Sequence, residues 1–492
     1  MMSKQVRLIL ALILFSKSFS VISDQQSTNN ACYVDGLSDR LQCGYVSVLE
    51  NPDEPSGPMI DIHFVVLPAI KPIKTDEVFL PITGGPGQSA IDNAASFGRT
   101  FAKIRETRDI LLIDQRGTGR SNLLACPEDK TLSPLALDDR SINYLEETKK
   151  CLNQLDGNVA MYGSVNAISD FESVRNFLGY KKLHIYGISY GSRMAQLYMR
   201  HHDEAIQTVT LDGVVPMQQS VLAIGMAIDR GLQSVFDQCK KDSFCNKEFP
   251  DLETTFDTLT RQLTALPINT PVYHPLTGAP DSFLITRDKL LGIIRLSMYS
   301  PSSRALLPLA ITQASKGNYQ PILGLFSLMM DGIDLATGMH NSVVCSEDIH
   351  RVTPEMLAQI NESYAATTMF KAMSEACSVW PSNKVDEKFS SPITSSIPTL
   401  LLSGYFDPAT PPSWATLAMV NMANAKHFIA PYSSHGVAYQ TCANDLIAEL
   451  VELGEVAELD DSCLTDQSSR GFFLNASSAQ PLSNNLSIKV SP

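Results

Sequence analysis

Three residues far apart in the sequence could together break an acyl bond. Ser189 stands between glycines in Gly187-Ile188-Ser189-Tyr190-Gly191, Asp407 lies in SGYFDPATPP, and His435 lies in PYSSHG. A serine hydroxyl is a weak nucleophile at neutral pH. It needs a base to take its proton, and the base needs a carboxylate to orient it and to stabilise its charged form. The chain order serine, aspartate, histidine is the one used when the nucleophile sits on a turn from strand to helix. Attack on a carbonyl also creates an oxyanion, which requires donors fixed in advance. The loop PITGGPGQSA offers Gly84, Gly85 and Gly87 for close backbone approach, and the amides of Gly85 and Tyr190 are the expected donors; Pro86 has no amide hydrogen to give.

Such a serine must be presented by a sharp bend. The strand-like run LHIY precedes it and the helix-like run SRMAQLYMRHH follows, with glycines that let the two pack closely. Similar apolar, β-branched runs recur at 59–67, 78–82, 109–114, 182–186 and 206–212, and again at 398–404 and 426–431. Near-continuous apolar strands separated by helical stretches predict a mostly parallel sheet covered on both faces. Asp407 and His435 each follow a run of the second group, so both fall at strand C-termini.

Each residue has a plainer reading. Asp407 would suit an Asx-type turn before Pro408, His435 an exposed loop, and Ser189 a glycine-rich turn. Asp212, after TVTL, is a rival acid. Ser192 is a poor rival nucleophile because it lies past the bend. Among the other histidines, His184 and His427 fall at strand starts, His201 and His202 at a helix end, and His340 and His350 between the two groups of strands.

From about Pro216 to Pro392 the pattern turns helical, rich in Met, Leu and Ser and broken by prolines at 250, 267, 271, 275 and 301. This predicts a helical domain inserted over the C-terminal edge of the sheet, where open α/β sheets bind ligands. The expected division is a signal peptide (1–23), a first core part (24–215), a helical cap (216–392), a second core part (393–463) and a flexible tail (464–492). Asn475 and Asn485 lie in N-x-S sequons that matter only in a eukaryotic secretory host.

The chain of 492 residues carries a formal net charge of −14, with 44% hydrophobic and 18% charged residues. That balance, with no basic stripe, argues against nucleic acid and anionic membrane surfaces as partners. At the N-terminus Lys4 and Arg7 precede a short apolar run from Leu8 to Phe15 and then small residues around Ser20 and Ser23, the layout of a secretory signal. No run approaches the roughly 20 apolar residues of a membrane-spanning helix. Ten cysteines follow. In an exported chain an even number predicts disulfides, and the shortest-loop pairing is Cys32–Cys43, Cys126–Cys151, Cys239–Cys245, Cys345–Cys377 and Cys442–Cys463. Zinc is not expected, for want of paired Cys-x-x-Cys or a His-x-x-x-His partner.

With GGPG (84–87), DQRGTGRS (114–121), GISYG (187–191), LDGVVP (211–216), DPATP (407–411) and SHG (434–436) in this order, the chain resembles the proline iminopeptidase and tripeptidyl aminopeptidase family of α/β-hydrolases. The likeness runs from about Cys43 to Cys463. It implies an α/β-hydrolase fold, a mostly parallel eight-stranded sheet with a helical cap, in which Ser189, Asp407 and His435 form a triad. It also implies that acidic cap residues hold the substrate's free amine. Glu347 and Asp348, in VCSED (344–348), are the candidates, since a carboxylate can hold an ammonium by charge-assisted hydrogen bonds; a solvated acidic turn beside Cys345 is the alternative. Asp114 and Arg116 are expected to support the site rather than join it. Thr83 departs from the histidine that many iminopeptidases carry before GGPG, which favours the tripeptidyl branch.

The expectation is an exported serine aminopeptidase, periplasmic or secreted, acting on peptides with a free N-terminus and using no metal or cofactor. The number of residues released per cut and the oligomeric state stay open. A carboxylesterase or lipase on the same scaffold is the alternative, because a triad hydrolyses esters as well and fold does not fix substrate. A non-catalytic binding protein is the third reading.

Overall fold

The computed structural model describes residues 27–126, 133–275, 277–330, 335–465, 470–475 and 477–479. The expected signal segment and Asn485 lie outside the described residues. The framework is a sheet of nine strands rather than eight: β1 Ser27–Cys32, β2 Leu41–Leu49, β3 Met59–Leu67, β4 Glu77–Ile82, β5 Asp109–Ile113, β6 Lys182–Ile188, β7 Ile206–Asp212, then, after an insertion holding β8 Ile268–Tyr273 and β9 Pro280–Ile285, β10 Thr399–Gly404 and β11 Ala425–Ala430. Their spatial order is β1-β2-β3-β5-β4-β6-β7-β10-β11. The first three strands and the β3–β5 pair run antiparallel, and every pairing from β5 through β4 to β11 is parallel. The polar strand β1, STNNAC, has no apolar run to announce it; it adds to β2 at the edge, where the Cys32–Cys43 disulfide ties the two.

Alternation along the strands supplies two cores. Ile62, Phe64 and Val66 of β3, with Leu111 and Ile113 of β5, face one layer of helices, while Val65 and Leu67, with Ile110 and Leu112, face the other. Side chains two apart share a face, so one strand feeds both layers. All six residues of β10 are buried, as a strand covered on both sides requires.

Between β7 and β10 the chain builds a mainly helical unit with its own core around Phe236, Phe256, Phe283, Leu290, Ile294 and Ile311. It contains an antiparallel hairpin, β8 with β9, where the prolines suggested only broken helix. Pro271 is tolerated there because a two-stranded ribbon has only edge strands. Residues beyond Cys463 also depart from the loose tail expected: Phe472 is 2% exposed and the Phe473 amide donates to the Ala305 carbonyl (3.1 Å), so Arg470–Asn475 is folded against the insertion. The ten cysteines form five bridges between sequence neighbours, Cys32–Cys43, Cys126–Cys151, Cys239–Cys245, Cys345–Cys377 and Cys442–Cys463. Among the described residues no helix is long and apolar enough to cross a membrane.

Candidate active site

Ser189 sits between the end of β6 and the helix Tyr190–His201 with φ 56° and ψ −125°, a left-handed backbone that L residues rarely adopt. Its amide donates to the Asp212 carbonyl (2.9 Å), which fixes the bend to the end of β7. The flanking glycines are steric necessities. A Cβ on Gly187 would collide with the Gly191 backbone, and one on Gly191 would collide with the Ile82 carbonyl and lie 2.6 Å from the Thr83 carbonyl oxygen. Gly191→Ala is therefore expected to destabilise the fold by about 1–3 kcal/mol and to displace the loop after β4. Urea unfolding checks this against Gly324→Ala, a helical position with open space that should gain slightly in stability.

Asp407 and His435 occupy the loops after β10 and β11 and meet there. The His435 Nδ1 lies 2.8 Å from Asp407 Oδ2. Asp407 Oδ1 accepts the amides of Ala409 (2.7 Å) and Thr410 (2.9 Å), while the Thr410 hydroxyl donates to Oδ2 (2.7 Å). Burial alone would raise the Asp407 carboxyl. The charge and hydrogen bond of His435, with Thr410, overcome that and hold it below the usual value. For His435, burial opposes the charged form, yet Asp407 outweighs it and raises the imidazole above its ordinary pKa. Tyr299, from the insertion, packs edge-on against His435 with ring centroids 5.0 Å apart.

The rival acid Asp212 is committed elsewhere. It accepts the amides of Val437 (2.8 Å) and Ala438 (2.9 Å) and the Tyr186 hydroxyl (2.9 Å), anchoring the chain just after His435. Ser192 is likewise spent: its hydroxyl donates to the Ser189 carbonyl (2.5 Å) and accepts the Val215 amide (2.8 Å).

Ser189 and His435 line one cavity of about 720 Å³, together with Gly84 and Gly85 of the loop after β4. Tyr190 opens its helix, where an amide has no intrahelical acceptor, so it is free to serve an oxyanion. Thr83 closes the glycine loop by donating to the Gln88 carbonyl (2.8 Å). Asp114 holds the far side of that loop through Ser89 Oγ (2.7 Å) and the Ile91 amide (3.0 Å), and Arg116 forms a buried bidentate pair with Asp170 (2.6 and 2.7 Å). Both act from behind the site.

Glu347 and Asp348 are not brought to the cavity. Glu347 accepts the Ser164 amide (2.7 Å) and hydroxyl (2.8 Å), and Asp348 grips Arg193 through two bonds (2.9 and 3.1 Å) and accepts the Val221 amide (2.8 Å). Both are fully buried, and burial pushes the Glu347 carboxyl up to about 7 against the pull of Arg193. They join the insertion to two helices of the core, Glu347 to the start of Ser164–Leu178 and Asp348 to Arg193 of Tyr190–His201, and neither lines the cavity that holds Ser189.

Two arginines of the insertion, the half-buried Arg230 and the buried Arg304, carry no sequence signal of their role. Arg230 donates to the carbonyls of Asp407 (2.7 Å) and Tyr405 (3.2 Å), and Arg304 to Ser434 Oγ (2.7 Å) and the Tyr432 carbonyl (3.0 Å). Arg304 also stacks 3.9 Å from the Phe406 ring centroid, and burial pulls its guanidinium down to about 9. The insertion thus clamps both loops that carry the Asp–His pair. A lone arginine in an amphipathic helix gives no sequence signal for this.

A serine forced outward at a strand-to-helix bend, facing a buried Asp–His pair across a cavity at the C-terminal edge of a mostly parallel sheet, is the arrangement of an α/β-hydrolase. Comparison with known proteins agrees: residues 77–274 match the family model described as alpha/beta hydrolase fold, and residues 362–463 the one described as TAP-like protein. The serine protease Hip1 of Mycobacterium tuberculosis is 23% identical over 82% of this chain and 84% of its own. The tripeptidyl aminopeptidase of Streptomyces coelicolor is 26% identical over 36% of this chain and 35% of its own, and the proline iminopeptidase of Neisseria gonorrhoeae 28% over 27% and 30%. The chain has the α/β-hydrolase fold, is similar to the proline iminopeptidases and tripeptidyl aminopeptidases of that class, and is a hydrolase.

Proposed function

We propose that the protein is an exported serine exopeptidase that cleaves peptides near a free N-terminus through a Ser189–His435–Asp407 triad. The observation that carries this reading is the 2.8 Å contact of Asp407 with His435, which lines the same cavity as Ser189. Ser189 Oγ attacks the scissile carbonyl while His435 takes its proton. The oxyanion is met by the amides of Gly85 and Tyr190. His435 then protonates the leaving amine, and water, activated by the same imidazole, releases the acyl group. Asp407 orients the ring through Nδ1 and stabilises its cationic form.

Export is supported by the signal-like N-terminus and by five disulfides, which persist in oxidising compartments. The helical insertion that walls the cavity favours peptides over folded proteins.

A free-amino peptide amide and its N-acetylated twin test the exopeptidase reading. The free form is expected to turn over at least about tenfold faster in kcat/KM, the scale of one lost hydrogen bond from a charged ammonium to a neutral acceptor such as a carbonyl or hydroxyl oxygen. Equal turnover would remove the aminopeptidase assignment, and hydrolysis confined to esters would favour the carboxylesterase alternative.

A further inference from the structure

Arg295 stands apart from the other arginines around the site. It lies near the end of the helix Arg287–Ser297 and lines the cavity that holds Ser189 and His435. Arg193 is paired with Asp348, and Arg230 and Arg304 donate to the loops of Asp407 and His435, as described above, although the Nε atoms of Arg193 and Arg230 lack an acceptor just as that of Arg295 does. Arg295 has no such engagement: among the described residues no carboxylate lies within ion-pair distance of it, its Nε is shut away from solvent without an acceptor, and its Nη1 reaches only the Met369 sulfur at 3.9 Å. A half-buried guanidinium with no anion beside it among the described residues is an uncommon arrangement, because buried polar groups are nearly always paired. Its charge is felt at the site, since it acts against protonation of His435 and of the buried His340.

The lining as a whole points the same way. Among the described residues it contains no aspartate or glutamate, and it includes a second cation, Arg470, whose Nη1 lies 2.5 Å from Ser302 Oγ. In a chain of net charge −14, the two permanently charged groups of this lining among the described residues are thus both cations. A planar fork of donors fits a carboxylate in two parallel bonds, and a carboxylate, unlike a neutral carbonyl, would also cancel the charge left in the wall.

We infer that Arg295 forms an anion subsite beside the candidate triad and takes a carboxylate of the substrate, supplied either by an acidic side chain next to the cut or by the C-terminal α-carboxylate of a short peptide. This rests on the peptidase reading above for the identity of the substrate, though not for the presence of the subsite. It makes Arg295 a specificity residue, with the more exposed Arg470 as a second cation of the same lining.

The test compares carboxylate-bearing substrates with neutral twins in the wild type, Arg295→Gln and Arg295→Lys. One arm uses free-amino tripeptides ending in a carboxylate or an amide. A second uses amide-ended peptides carrying Glu or Gln at each position flanking the cut. A third uses the 4-nitrophenyl monoester of adipate against 4-nitrophenyl hexanoate. In the wild type at least one carboxylate form is expected to exceed its twin by about ten- to a hundredfold in kcat/KM. That ratio should fall towards one in Arg295→Gln and be partly kept in Arg295→Lys. Preference in the first arm assigns the α-carboxylate, and in the second an acidic side chain. Preference confined to the ester pair retains the subsite and removes the peptidase reading. Equal rates for every pair in the wild type overturn the subsite, as does a preference that persists at full size in Arg295→Gln. If that variant does not fold, the wild-type ratios and Arg295→Lys still decide.

Discussion

Replacing Ser189 with alanine is expected to lower kcat by about 10⁶-fold, the scale on which serine triads lose rate when the nucleophile is removed. The fold should survive. The side chain projects into a cavity, and the bend is held by the Ser189 amide bond to Asp212 and by the close packing of Gly187 and Gly191 rather than by the hydroxyl. Unfolding in urea should therefore change little while turnover vanishes. Preserved turnover in Ser189→Ala would mean that another group attacks the substrate.

Asp407→Asn is expected to reduce kcat by about 10⁴-fold and to move the pH dependence. The geometry explains the first effect. Oδ1 of Asp407 accepts two backbone amides, so in the variant the amide oxygen must keep that side and the NH2 group must face His435. The ring would then accept at Nδ1 and carry its proton on Nε2, leaving no lone pair for the serine proton. For the pH dependence, the base must be neutral, so kcat/KM rises as pH climbs through the His435 pKa. Burial lowers that value, but Asp407 raises it above the ordinary one and Asp212 adds to the rise. Removing the Asp407 charge should therefore shift the acidic limb to lower pH, measurable as kcat/KM against pH on one peptide amide. An unmoved limb would mean that His435 is not the base.

The parts of the site that could be read from sequence are those with local grammar. Ser189 is flanked by glycines that only a tight strand-to-helix bend requires, and Asp407 and His435 each follow an apolar strand in the order such a site uses. The same strands made the parallel sheet legible, because side chains buried on both faces leave near-continuous apolar runs. The polar strand Ser27–Cys32 left no such trace, and Pro271 disguised a hairpin as broken helix. Glu347 and Asp348 show the limit most clearly. Two adjacent acids after VCS look alike whether they face a cavity or a buried arginine, and the choice is made by Arg193, over 150 residues earlier in the chain. Arg230, Arg295 and Arg304 are indistinguishable as sequence, yet two are spent on loop carbonyls and the third is left facing the cavity.

The insertion consequently does more than roof the site. Its arginines hold the loops bearing Asp407 and His435, its Tyr299 supports the imidazole, and the segment Arg470–Asn475 adds a further wall. The helices that hold the loops of Asp407 and His435 thus also line the candidate site.

Activation of Ser189 as the nucleophile by His435 is tested by the mass of the protein after reaction with a fluorophosphonate, followed by peptide mapping. One adduct is expected, located on Ser189 within the peptide spanning GISYG, absent from Ser189→Ala and formed far more slowly in His435→Gln. An adduct on a different residue, or undiminished labelling of Ser189→Ala, would contradict it.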